Sequence, residues 1–145
     1  MSRGPKQLMD FCGSWRLGRE IIDLKTGTRG HMDGMATFEP DSSSLRYFEV
    51  GRLVLAGQPE LQASRRYWWQ PRSDGVDICF DNGQFFHRLD ITQHITTAKH
   101  VCAADTYNAS YDFSEWPAWS ATWHVSGPRK LYSMTSRYYA AGDIG

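Results

Sequence analysis

In an extended chain, side chains two apart share a face. Two runs use that spacing to set an arginine beside a tyrosine: Arg65 and Tyr67 in "ASRRYWW", and Arg137 and Tyr139 in "MTSRYY". A guanidinium clamps a carboxylate with two parallel N–H bonds, and a neighbouring phenol adds a third. A further arginine, Arg19, stands four residues after Trp15 in "CGSWRLGRE". If Trp15 faces a core, Arg19 faces it too. The same parity carries Glu49 inward with Tyr47, Leu45, Leu53 and Leu55. It sets His87 with Phe85 and Leu89, His100 with Cys102 and Ala104, and Trp69 with Arg65 and Tyr67.

Buried charges are costly unless paired and hydrogen-bonded. Such an interior therefore has two readings. In one, Arg19 or Arg65 pairs with Glu49 under Tyr67, and the arrangement is structural. In the other, an arginine is left over for an anion, and Arg19, Arg65 and Tyr67 form a polar floor that Glu49 partly offsets. The ligand-binding candidates are then Arg19, Arg65, Tyr67, Trp69, His87 and His100. The catalytic candidates are His87, His100, Glu49 and Tyr47, because a histidine, a carboxylate and a phenol in a dry cavity can move protons.

Other chemistries find no foothold. There is no Gly-x-Ser-x-Gly elbow or Ser-His-Asp order. No metal site is expected: the five histidines are scattered, and Cys12, Cys79 and Cys102 are odd in number and far apart. Those cysteines read as reduced residues of a cytoplasmic protein. Sixteen basic residues balance sixteen acidic ones, so neither nucleic acid nor a membrane surface is an expected partner. No apolar run approaches a membrane span, and "MSRGPKQLMD" lacks the apolar centre of a signal peptide. The expected partner is a small molecule, with a homodimer as a further possibility. Six Trp, seven Tyr and seven Phe fit either the ordinary aromatic content of a β-protein or a cavity lined by rings.

The elements that position these residues are strands. Alternating, β-branched and aromatic runs are broken by turn residues throughout. Ten strands are expected: 13–24, 32–38, 45–55, 62–70, 76–81, 85–90, 98–104, 110–113, 119–125 and 130–139. "DNG" marks a hairpin, "WPAW" a corner, and Gly127-Pro128 a turn. Only residues 3–11, and 90–97, look able to form a helical turn. A length of 145 residues fits one domain over residues 1–145. Consecutive strands on short connections give an antiparallel up-and-down meander, and closing it into a barrel removes both edges. The expected fold is all-β, a closed barrel of about ten strands with at most a short N-terminal helix.

Gly13-x-Trp15 at the head of the first strand resembles the Gly-x-Trp signature of the lipocalin and calycin superfamily. That resemblance implies that Trp15 closes one barrel end and that Arg137, from the last strand, packs across its ring as a cation–π pair. Gly13, Trp15 and Arg137 are thus structural candidates, and Arg137 is given to Trp15 rather than to a ligand. "AADTYNASY" is a weaker echo, with Asp105 and Thr106 in reversed order. The Arg-x-Tyr runs resemble the carboxylate anchor of fatty-acid-binding barrels. From Phe11 to Tyr138 the chain resembles a domain-of-unknown-function family of small proteins. The runs that carry this are "ASRRYWW", "FDNGQFFHRLD", "KHVCAADTY", "YDFSEWPAW" and "VSGPRK". The layout is also similar to nitrobindin-like barrels, which bind haem through a C-terminal histidine. His124 precedes the last strand and its neighbours do not match, so no haem or other cofactor is expected. The resemblances imply a small-molecule-binding barrel with a polar, aromatic-lined lumen and an anionic or carboxylate-bearing ligand. A cofactor-independent lyase or isomerase in the same cavity and an interaction module with exposed aromatics are the alternatives.

Overall fold

The computed structural model describes residues 4–141. Ten strands follow a single 3-10 turn, Leu8–Phe11. They are β1 (Gly13–Asp23), β2 (Arg29–Asp41), β3 (Ser44–Leu55), β4 (Leu61–Arg72), β5 (Gly75–Phe80), β6 (Phe85–Leu89), β7 (Ile95–Cys102), β8 (Asp105–Asp112), β9 (Trp119–Ser126) and β10 (Leu131–Ala140). One sheet runs β6-β5-β4-β3-β2-β1-β10-β9-β8-β7, each neighbour antiparallel. The meander therefore closes through β1 and β10, and the seam lies between β6 and β7. Among the described residues no ladder joins those two strands. The barrel is nearly closed rather than fully closed. Residues 90–94 form turns rather than a helix, and β7 begins at Ile95.

Two short reasons explain the seam. β6 has only five residues, and it carries a bulge: Ile78 pairs with His87 but Cys79 with Phe85, leaving Phe86 extra. A bulge shifts facing parity. Phe85, expected inward, is thrown out and exposed, while Phe86 and His87 both turn in. Side chains then bridge the seam. The ring of His100 on β7 meets Phe86 edge-on at 5.0 Å, and the Asp90 N–H donates to Thr96 Oγ1 at 3.2 Å.

The 3-10 turn stoppers one end. Its start is fixed by the Asp10 carboxylate, which accepts the N–H groups of Lys6 and Gln7. The turn drives Phe11 into the barrel, where five rings surround it at 5.0–5.7 Å, among them Phe38, Trp69 and Trp119. A fully buried phenylalanine contributes roughly 1.5–3 kcal/mol. Trp15 locks the stopper by donating its indole N–H to the Phe11 carbonyl at 2.9 Å. Gly13, at φ +120°, makes the sharp entry into β1 that a side chain would strain.

Arg137 does not pack across Trp15. Along β10 the inward residues are Tyr138, opposite Leu17, and Ser136, opposite Arg19. Arg137 stands between them opposite Gly18, on the outer face and exposed. Trp15 packs instead against Trp116 and Trp119. The barrel end is sealed by rings from the "WPAW" corner, so the expected cation–π pair has no place to form.

Candidate functional site

Above the aromatic stopper the lumen opens into a cavity of about 90 Å³. At its centre is Arg19, a buried guanidinium brought inward by the alternation of β1. The guanidinium grips Glu49 of β3 with both arms, Nη1 to Oε2 at 2.7 Å and Nη2 to Oε1 at 2.9 Å. Its Nε–H donates to Ser136 Oγ of β10 at 2.7 Å. The Tyr47 hydroxyl donates to Glu49 Oε1 at 2.6 Å and meets Tyr138 at 2.9 Å. The pair therefore ties β1, β3 and β10 together across the barrel.

The charges survive burial because they answer each other. Burial pushes the Glu49 carboxyl up, but the hydrogen bonds and charge of Arg19 outweigh it and hold Glu49 below its ordinary value. Arg19 is held above its own, since Glu49, together with the Tyr138 and Tyr47 hydroxyls, outweighs burial there too. Burial lifts Tyr47 well above the phenol range, and burial with the Glu49 charge pushes Tyr138 up to about 12. On the opposite wall His87 of β6 meets the Tyr111 hydroxyl of β8 at 3.0 Å. Burial, with His100 nearby, pushes His87 down to about 3, so it is neutral. Burial raises Tyr111 as well. His87 Nδ1 has no hydrogen-bond partner among the described residues.

Rings form the rest of the walls. Trp119 lies flat on Tyr138 at 3.8 Å and 6°, and Trp123 is stacked on Phe86 at 5.1 Å and 11°. Tyr67 lies nearly parallel to Phe86 at the open end. Trp69 is buried deeper, stacked beside Tyr47.

The expected residues thus fall into three groups. Arg19, Tyr47, Glu49, Tyr67, Trp69 and His87 all line the cavity. Arg65 lines it too, but at the mouth and exposed, not on the floor. The reason is charge: Glu49 is already taken by Arg19, so a second buried guanidinium would have no counter-charge. Arg65 Nη1 reaches the Tyr67 hydroxyl at 3.5 Å, and among the described residues Arg65 makes no ion pair. His100 stays at the seam, half-buried on Phe80 and Phe86, and does not line the cavity. Beyond it Cys102 and Ala104 are exposed. His124 lies on the outer face of β9, exposed.

Ser136 and Tyr138 are the main omissions from the sequence reading. Assigning Arg137 to Trp15 chose the wrong parity for β10. The even set, Tyr132 to Tyr138, carries no charge, and that signal favours it as the inner face. Tyr111 and Phe86 were hidden by an unread strand start and by the bulge. Among the described residues no cluster of three His, Cys, Asp or Glu side chains is placed to hold a metal, and no helix is long and apolar enough to cross a membrane.

An antiparallel ten-stranded meander, stoppered by a 3-10 turn around a ring-walled and charged lumen, defines a calycin-like barrel. The chain belongs to a family of unknown function, DUF6314, whose pattern fits residues 11–140. Among solved structures it is similar to the S-type phycobiliprotein lyase CPES from Guillardia theta. The two share 9% identity over 89% of this chain and 87% of that one, with a TM-score of 0.63. At that identity the likeness is one of fold. No curated protein matches the chain in sequence.

Proposed function

We propose that this chain is a small-molecule-binding barrel whose ligand is planar, aromatic and anionic, with a carboxylate-type group held at the mouth by Arg65 and Tyr67. The observation that supports this best is Arg65: an arginine at the rim of a ring-walled cavity, without a carboxylate partner among the described residues. Stacked rings at the walls offer flat apolar faces to a conjugated system, and a guanidinium with an adjacent phenol offers the anion its donors. Arg19 is not the anchor in this reading, because Glu49 neutralises it. The barrel of similar fold from Guillardia theta is named as a phycobiliprotein lyase, which is in keeping with a barrel of this shape serving a small-molecule function.

A cofactor-independent lyase or isomerase is less well supported. General acid–base catalysis works best when a group titrates near the operating pH. Here Glu49 is held low, His87 is held near 3, and Tyr47 and Tyr138 are held high. The direct test is native mass spectrometry of the protein purified without denaturant. A bound aromatic acid is expected, and it should be lost from the Arg65→Met protein. A barrel that carries no molecule and also binds no aromatic carboxylate overturns the proposal.

A further inference from the structure

The Arg19–Glu49 pair leaves a countable set of hydrogen-bonding groups facing the lumen. A guanidinium has five N–H groups and no acceptor. Four are committed: Nε to Ser136, Nη1 to Glu49 and to the Met32 sulfur, and Nη2 to Glu49. One Nη2–H remains. Ser136 Oγ accepts from Arg19, and among the described residues its own proton reaches no acceptor. Tyr47 gives its only proton to Glu49, so in the Tyr47–Tyr138 contact Tyr138 is the donor. The buried end of the cavity therefore has two donors to spare, on Arg19 and Ser136, both of which line it.

Those donors carry no uncompensated charge. An anion placed against them would also face the Glu49 carboxylate, whose positive partner is already engaged. A neutral carbonyl oxygen would use both donors without that repulsion. The mouth is the reverse case, since Arg65 forms no ion pair among the described residues. The two ends of one cavity thus suit different groups.

We propose that the lumen reads its ligand by both ends: a neutral carbonyl oxygen at the buried end, held by Ser136 and Arg19, and an anion at Arg65. This rests on the lumen being a ligand site. It orients the ligand and names its class, a flat aromatic acid with a ketone, amide or lactam carbonyl at the far end.

Calorimetric titration with four small probes tests it: benzoate, 4-acetylbenzoate, 4-isopropylbenzoate and terephthalate. The acetyl compound should bind about ten-fold tighter than the isopropyl compound, which has the same shape without the oxygen. Terephthalate, with an anion at each end, should bind no tighter than benzoate. Ser136→Ala should erase most of the acetyl preference, and Arg65→Met should weaken all four. The acetyl–isopropyl comparison in the parent protein stands even where Ser136→Ala does not fold. Equal binding of those two, or tightest binding of terephthalate, overturns the carbonyl site and leaves the binding reading standing. No binding of any probe at millimolar concentration overturns the reading beneath it.

Discussion

Arg19 with Glu49 inside the lumen and Arg72, Asp77 and Arg88 on the outer wall use the same chemistry in opposite surroundings. Inside, one arginine grips one carboxylate, and both side chains are under a tenth exposed. Outside, Asp77 on β5 is equally covered, but the arginines that clamp it from β4 and β6 are almost half exposed. Their Nε–H groups reach it at 2.9 and 2.6 Å. In both places burial pushes the carboxyl up and arginine more than reverses it. The difference lies in the partner. Water still solvates Arg72 and Arg88, whereas the buried Arg19 is bonded among the described residues to Glu49, Ser136 and the Met32 sulfur. The outer cluster is a staple that holds the short β6 to β5 beside the seam. The inner pair is a conditional structure, stable only while both members are present.

Removing one member of each cluster should therefore give unequal losses. Glu49→Ala strands a buried guanidinium and should cost about 3–5 kcal/mol. For a chain of this size that is a fall in Tm of roughly 10 °C or more. Replacing both members, Arg19→Met with Glu49→Leu, should recover much of the loss, since an apolar pair needs no desolvation. Thermal melts of the two proteins check this. A double variant no more stable than Glu49→Ala would show that the pair does more than cancel its own charges.

A second contrast concerns the neutral polar group inside. His87 is held neutral down to about pH 3, while an unfolded histidine titrates near 6.5. Below pH 6.5 the unfolded chain binds the extra proton, so stability falls as the solution is acidified. The fall from this group is about 1.4 kcal/mol per pH unit. Glu49 works in the same direction below about pH 4.5, because its folded value is depressed. His87→Gln, which can still bond Tyr111, should flatten the profile between pH 6.5 and 5 in denaturant titrations. An unchanged slope would mean that His87 gains a proton inside the folded barrel. The outer cluster sets the lower bound of the comparison: Asp77→Asn should cost about 1 kcal/mol, because its partners return to water. A loss equal to that of Glu49→Ala would erase the distinction between the two walls.

How much of this was legible in the sequence follows strand regularity. The ten strands, the first-strand parity and the pairing of an inner arginine with Glu49 were readable, because alternation over β1 and β3 is uninterrupted. Arg19 does pair with Glu49, and Tyr47 and Tyr138 seal the pair where Tyr67 was expected. Parity failed where geometry broke the rule. The Phe86 bulge turned Phe85 outward, and the expected Trp15–Arg137 contact misassigned β10, hiding Ser136 and Tyr138. Alternation puts Arg65 on the strand face that it occupies, but at the exposed mouth and not on the floor. Alternation tells which way a residue points but not whether a long side chain stays inside, and that was decided by Glu49 having one arginine already.

Arg65 is the third arginine of the comparison, with neither the inner partner nor the outer one. It stands directly across the β3–β4 ladder from Glu49, so backbone proximity alone would favour pairing. The carboxylate is instead saturated by Arg19 and Tyr47, leaving Arg65 exposed at the mouth. Arg65→Met then removes an exposed charge whose folded-state contacts are one long hydrogen bond to Tyr67 and a through-space attraction to Glu49, and stability should change by less than about 1 kcal/mol. The same change should weaken benzoate binding at least ten-fold, since a charged donor lost from an anion costs about 1.5–3 kcal/mol. Melts and titrations on one preparation separate the two effects. A large loss of stability with no change in binding would assign Arg65 to the structure and leave the mouth without an anchor. Unchanged stability with weakened binding would mark it as the group kept free, while Glu49 holds its neighbour fixed.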